Sequence, residues 1–72
     1  MQIKICETHE GRLDIIAERI TEQAPAKGDI IGIDRDDVFL YYEVEQVYRF
    51  LYSTRPETVR VLVTPLPLPQ DS

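Results

Sequence analysis

The chain has 72 residues, 43% hydrophobic and 29% charged, with a formal net charge of −5 and a sequence pI of about 4.6. That apolar content excludes a disordered chain, and the acidic balance repels phosphate backbones and anionic lipid, making nucleic acid a disfavoured partner. One cysteine, Cys6, excludes an internal disulfide framework, and neither a signal-like start nor an apolar run beyond four or five residues is present, so a cytoplasmic protein without a membrane anchor is expected.

Residues 1–6 alternate Ile3 and Ile5 against Gln2, Lys4 and Cys6, the pattern of a strand with one buried face. A turn is expected over Glu7–Gly11, with Gly11 free to take a positive φ. Residues 12–23 admit two readings. Leu13, Ile16, Ala17 and Ile20 have the i, i+3, i+4, i+7 spacing of an amphipathic helix, with Asp14, Glu18 and Glu22 opposite. Gly11, however, sits where a helix needs a strong first turn, and no capping box precedes it. The preferred reading is a strand over Arg12–Ala17 that pairs back on Ile3–Cys6 as a hairpin. Pro25 ends whatever precedes it.

The stretch Gly28–Tyr52, GDIIGIDRDDVFLYYEVEQVYRFLY, organises the rest. Period 2 puts Val38, Leu40, Tyr42, Val44, Tyr48, Phe50 and Tyr52 on one face, while period 3.6 aligns Leu40, Val44, Val47, Tyr48 and Leu51. Composition decides for strands, because β-branched and aromatic side chains dominate and no alanine occurs. Two strands are expected, Asp29–Asp34 and Val38–Tyr52, joined through Asp34–Asp37. The second would run roughly 50 Å if straight. A bulge near Glu45 and Gln46 would bend it and turn Val47 inward beside Val44.

After a loop at Ser53–Glu57, Thr58–Thr64 reads as a strand with Val59, Val61 and Val63 on one face. Pro65, Pro67 and Pro69 lack ladder donors, so a polyproline-like tail without a P-x-x-P register is expected. The organisation is one β domain over 1–64, near the size at which a core only just offsets chain entropy, and a Pro-rich tail over 65–72. Its fold class is all-β, a partly open barrel of about five antiparallel strands. The alternative is α+β, with a helix over 12–23 on a three-stranded sheet.

The segments P-A-K-G-D-I-I-G-I-D, Y-Y-E-V-E-Q-V and V-R-V-L-V, in that order over residues 25–64, resemble the SH3-like small barrels, including KOW-type domains. The residues carrying the likeness are Gly28, Asp29, Ile31, Ile33, Tyr42, Val44 and Val47. The resemblance implies an SH3-like barrel and, for KOW-type members, RNA contact through basic loops. Here the loops carry Glu7, Glu10, Asp34, Asp36, Asp37 and Glu57, a departure that weighs against RNA. The chain is also similar to short uncharacterised bacterial and phage proteins of that shape, a likeness that implies no activity.

Chemistry-bearing constellations are sparse. Cys6 and His9 form C-x-x-H, two of the four ligands a structural zinc needs, and the chain has no other Cys or His. Asp34–Asp37 begins like a calcium loop with Glu45 at its twelfth position, but Val38 and Phe39 occupy the places of a ligand and a glycine. Cys6 with His9, or Glu43 with Glu45, are the only catalytic pairings to consider, and neither gives a convergent site. No enzyme, metal or cofactor is expected. The aromatic residues carry more information: with the even positions in the core, Phe39 and Tyr41 project outward, beside Leu51, as a contact surface. The expected function is a protein-interaction module, with a homodimer as one form. The alternative is an RNA- or DNA-binding barrel that uses Arg35, Arg49, Arg55 and Arg60 with exposed tyrosines.

Overall fold

The β-branched and aromatic runs form five strands in a computed structural model that describes residues 1–67. They are β1 (Gln2–His9), β2 (Arg12–Ile20), β3 (Ile30–Arg35), β4 (Val38–Phe50) and β5 (Thr58–Pro65). No helix occurs among the described residues, so none there is long and apolar enough to cross a membrane. The helical spacing in 12–23 is overridden by pairing: Arg12 to Ile20 lies antiparallel along β1.

The strands make one curled, open half-barrel sheet in the order β2-β1-β5-β4-β3. Three pairings are antiparallel, whereas β1 and β5 run parallel, from Gln2↔Thr58 to Glu7↔Val63. An antiparallel ladder throughout was the expectation. The exception arises because β5, the last strand, inserts between the hairpin β1–β2 and the end of the meander β3–β4–β5. Strands β2 and β3 form the edges, and no ladder joins them among the described residues.

Both hairpins use two-residue turns. Glu10 and Gly11 have φ of 50° and 78° between His9 and Arg12, and Asp36 and Asp37 have φ of 51° and 66° between Arg35 and Val38. Positive φ at both central residues matches the right-handed twist of the flanking strands. The first strand therefore runs three residues past its expected end, and the turn shrinks to Glu10–Gly11.

Strand pairing assigns every side chain to a face. Ile3 pairs Val59 and Ile5 pairs Val61, while Val44 pairs Val63 and Val47 pairs Val61, which places all of them on the inner face. With Ile33 and Tyr42 they form the core, where Val59 and Val61 are fully buried. Two bulges shape it. Ile16 is the extra residue of β2 and packs against the core. Glu45 is the extra residue of β4, where the register shifts between Val44 and Gln46, and Val47 turns inward as expected. Glu45 is held there by the Thr64 hydroxyl, which donates to its carboxylate.

The bulge also corrects the expected core. Beyond Glu45 the parity inverts, so Tyr48 and Phe50 face outward and, like Tyr52 beyond the strand, are exposed instead of buried. Two smaller corrections concern the ends of the chain. Cys6 is not an edge thiol, since β1 lies between β2 and β5 and the residue is buried. Pro65 pairs with Tyr42, and the Leu66 amide donates to the Tyr41 carbonyl at 2.9 Å, so the ladder enters the tail. Residues 68–72 of the expected polyproline-like tail lie outside the described residues.

The loop from β2 to β3 is tied to the sheet. Gly28, at φ 93°, donates to the Val44 carbonyl, and the Val44 amide donates to Asp29, each at 2.8 Å. The Asp29 carboxylate accepts from the Ala26 amide at 2.8 Å. The Gly-Asp pair thus anchors the strand that follows it, a backbone role that requires neither charge recognition nor a ligand. Between this loop, β1–β2 and β3 the half-barrel opens as a cleft of about 170 Å³.

Candidate functional site

The outer face of the sheet can be built row by row from the register. One row runs Glu18, Lys4, Arg60, Tyr48, and the next toward the strand ends runs Ile20, Gln2, Thr58, Phe50. On the other side lie Ile15, Cys6, Leu62 and Gln46. Apolar side chains therefore line both faces of the sheet, and only the inner face is covered. On the outer face Leu13, Ile15 and Tyr48 are each about half exposed (54%, 52% and 49%) and Phe50 is 39% exposed.

Two adjoining depressions on this face share residues. The larger, about 660 Å³, lies between the outer rows and the loop from β4 to β5, and Lys4, Ile20, Phe50, Tyr52, Arg55 and Arg60 contribute to it. The smaller, about 250 Å³, is lined by Leu13, Tyr48 and Leu62 and shares Phe50 and Arg60 with the first. Together they form one groove with an apolar end and a cationic end.

Electrostatics single out the cationic end. Lys4 and Arg60 are direct cross-strand neighbours, a like-charge pairing that disfavours the strand pair. Each arginine lies near an aromatic ring: Arg55 stands 3.8 Å from the Tyr52 centroid and Arg60 stands 5.6 Å from that of Phe50. These are cation–π distances. Among the described residues Glu57 is the one carboxylate that lines the groove, and it is held by Arg49 at 3.0 Å. Glu18 neighbours Lys4 on its other side. Arg55 and Arg60 have no ion-pair partner among the described residues.

The residues singled out from the sequence are dispersed. Phe39 and Tyr41 face outward, as expected, but their rings lie across Gly32 of the edge strand, where a Cβ would meet Tyr41 at 3.2 Å and Phe39 at 3.3 Å. Leu51, 76% exposed, follows the far end of β4, roughly 30–40 Å along the chain from them, so the three do not make one surface. Of the four arginines, Arg55 and Arg60 meet in the groove. Arg35 sits at the β3–β4 turn, and Arg49 is engaged by Glu57. Cys6 and His9 are three residues apart on β1, one buried and the other exposed. No cluster of three or more potential metal-ligating side chains occurs among the described residues.

Sequence reasoning placed Tyr48 and Phe50 in the core and gave Lys4, Leu13 and Ile15 no part in a site. The available signal was the bulge itself, because an extra residue at Glu45 requires Tyr48 and Phe50 to change face.

Fold and face together define a small all-β half-barrel with one covered and one open sheet face. The chain matches no protein-family model, no curated protein and no solved structure.

Proposed function

We propose that the chain is a non-enzymatic protein-interaction module whose partner seats on the outer face of the sheet. The observation that carries this reading is the open apolar face of Leu13, Ile15, Tyr48 and Phe50 beside Leu62. A row of large apolar side chains on the second face of a five-stranded sheet is the surface that a packed partner covers in a two-layer β protein. Its mixed aromatic and cationic composition matches interface cores, where Tyr, Phe and Arg are enriched. The strand order with its Gly28-Asp29 anchor is compatible with an SH3-like barrel left open between β2 and β3. A second copy of the chain is one partner this surface can take.

A second reading has one specific observation in its favour. Arg55 and Arg60 converge, each beside an aromatic ring, which is the arrangement that stacks and neutralises single-stranded nucleic acid. The net charge of −5 opposes it, since phosphates beyond the groove would meet acidic surface.

The test of the first reading is sedimentation equilibrium of the purified chain, alone and with extract of its source cells. The mass is expected to exceed 8.4 kDa in at least one of these settings, and Leu13→Ser with Tyr48→Ser is expected to return it to 8.4 kDa. A chain that stays at 8.4 kDa in both settings, with the variant indistinguishable, would reject an outer-face partner.

A further inference from the structure

The cationic end of the groove has a complement elsewhere on the molecule. The β3–β4 hairpin carries Asp34, Asp36 and Asp37 at its tip, all exposed, with Arg35 as the one opposing charge among them. Asp34 lies directly across from Phe39, so a carboxylate and an exposed aromatic ring share the outer face there. The groove presents the converse pairing, guanidinium beside ring, at Arg55 with Tyr52 and Arg60 with Phe50.

Tip and groove cannot meet within one chain. The tip precedes β4 and the groove adjoins its other end, thirteen residues of strand away, a path of roughly 40 Å along the chain. We infer that the groove receives the β3–β4 hairpin tip of a second copy of the chain, which deepens the interaction-module reading and rests on it. Asp34 and the turn aspartates of one copy face Arg55, Arg60 and Lys4 of the next. Phe39 reaches the apolar depression at Tyr48 and Leu62 that continues the groove. The two surfaces differ, so the contact is heterologous: copies join head to tail, and the assembly grows until a ring closes. Two features of the isolated chain acquire a reason. The Lys4–Arg60 adjacency, unfavourable alone, becomes a site for the carboxylates of a neighbour. The acidic turn makes no ion pair of its own among the described residues.

The experiment is a charge exchange read by sedimentation equilibrium at about 0.05 M and about 0.5 M salt, where screening differs strongly. A tip variant combines Asp34→Lys, Asp36→Asn and Asp37→Asn, because asparagine tolerates the positive φ of the turn. A groove variant combines Arg55→Glu with Arg60→Glu. Wild type is expected to exceed twice the monomer mass at low salt and to dissociate toward 8.4 kDa at high salt. Each variant alone is expected to associate at least about tenfold more weakly. An equimolar mixture of the two is expected to regain association, since the unaltered tip of the groove variant meets the unaltered groove of the tip variant, and the reversed groove of the one meets the reversed tip of the other. Far-UV circular dichroism of each variant checks that the sheet is intact. Failure of the mixture to associate, with both variants folded, would overturn the inference. So would variants that associate like wild type: should Leu13→Ser with Tyr48→Ser still abolish that association, the outer face remains an interface and only the hairpin assignment falls. A monomeric wild type that binds a single-stranded oligonucleotide through Arg55 and Arg60 would also overturn it, assigning the groove to phosphate.

Discussion

At the scale of single residues, Cys6 shows how position in the sheet sets chemistry. It lies between Ile15 of β2 and Leu62 of β5, on the outer face, and is 1% exposed. Burial pushes its thiol above the ordinary value of 9.0, and the nearby charges of Arg60 and Lys4 draw it part of the way back. A raised thiol means that the folded chain keeps its proton where the unfolded chain has lost it. This contribution to stability is therefore intact below about pH 9 and declines as the pH rises through the folded value. A thiol both buried and protonated is a poor nucleophile. Ellman's reagent at pH 8 is expected to label the native protein slowly and the urea-unfolded protein at once. Fast labelling of the native protein would show that the β2-β1-β5 packing opens readily.

At the scale of elements, the two hairpin turns form a natural comparison. Both need positive φ at two positions; the first supplies Gly11 at the second of them, whereas the second supplies Asp37. A side chain in the left-handed region costs more than glycine there, even though Asp tolerates it better than most residues. Nothing lies within 4 Å of a Cβ built on Gly11, so backbone preference alone is at stake at that turn. Asp37→Gly is expected to stabilise the fold by about 0.5–1 kcal/mol, and Gly11→Asp to destabilise it by a similar amount. In a chain of this size the change corresponds to roughly 2–8 °C in Tm, measured by thermal melting in high salt so that association does not intrude. A melting temperature lowered by Asp37→Gly would mean that the Asp37 side chain makes a contact worth more than the strain. The strands themselves were legible because β-branched and aromatic runs between turn residues leave little choice of backbone. The bulge at Glu45 was legible from length alone, since a strand expected over Val38–Tyr52 must bend to fit a domain this small. What escaped was its consequence: one inserted residue exchanges the faces of everything after it, so Tyr48 and Phe50 passed for core. The groove was hidden for a related reason, because Lys4 and Arg60 become neighbours only through a parallel pairing that neither segment signals.

At the scale of the whole molecule, that parallel pairing is what unites the fold. The hairpin β1–β2 and the meander β3–β4–β5 are each local, and among the described residues the ladder that joins them is that of β1 along β5. Gln2 pairs Thr58 across 58 − 2 = 56 positions, so the central contact of the sheet is also the one with the largest loop to close. Val59, Val61 and Val63 take neighbours from both units and so join the two halves of the core. The edges contribute differently. Strands β2 and β3 are paired on one side only, so alternate amides of each point away from the sheet. Native-state hydrogen exchange is expected to follow this order: the amides of β5 exchange only through global unfolding, whereas the outward amides of β2 and β3 exchange through small local openings. The protection of the edge amides also discriminates between modes of assembly. A partner hairpin docked in the groove covers the outer face and leaves both edges open, so association would slow exchange around Phe50 and Arg60 and not along β3. Protection of the β3 and β2 edges on association would instead mean that copies add strand to strand, which would replace the groove contact with edge pairing.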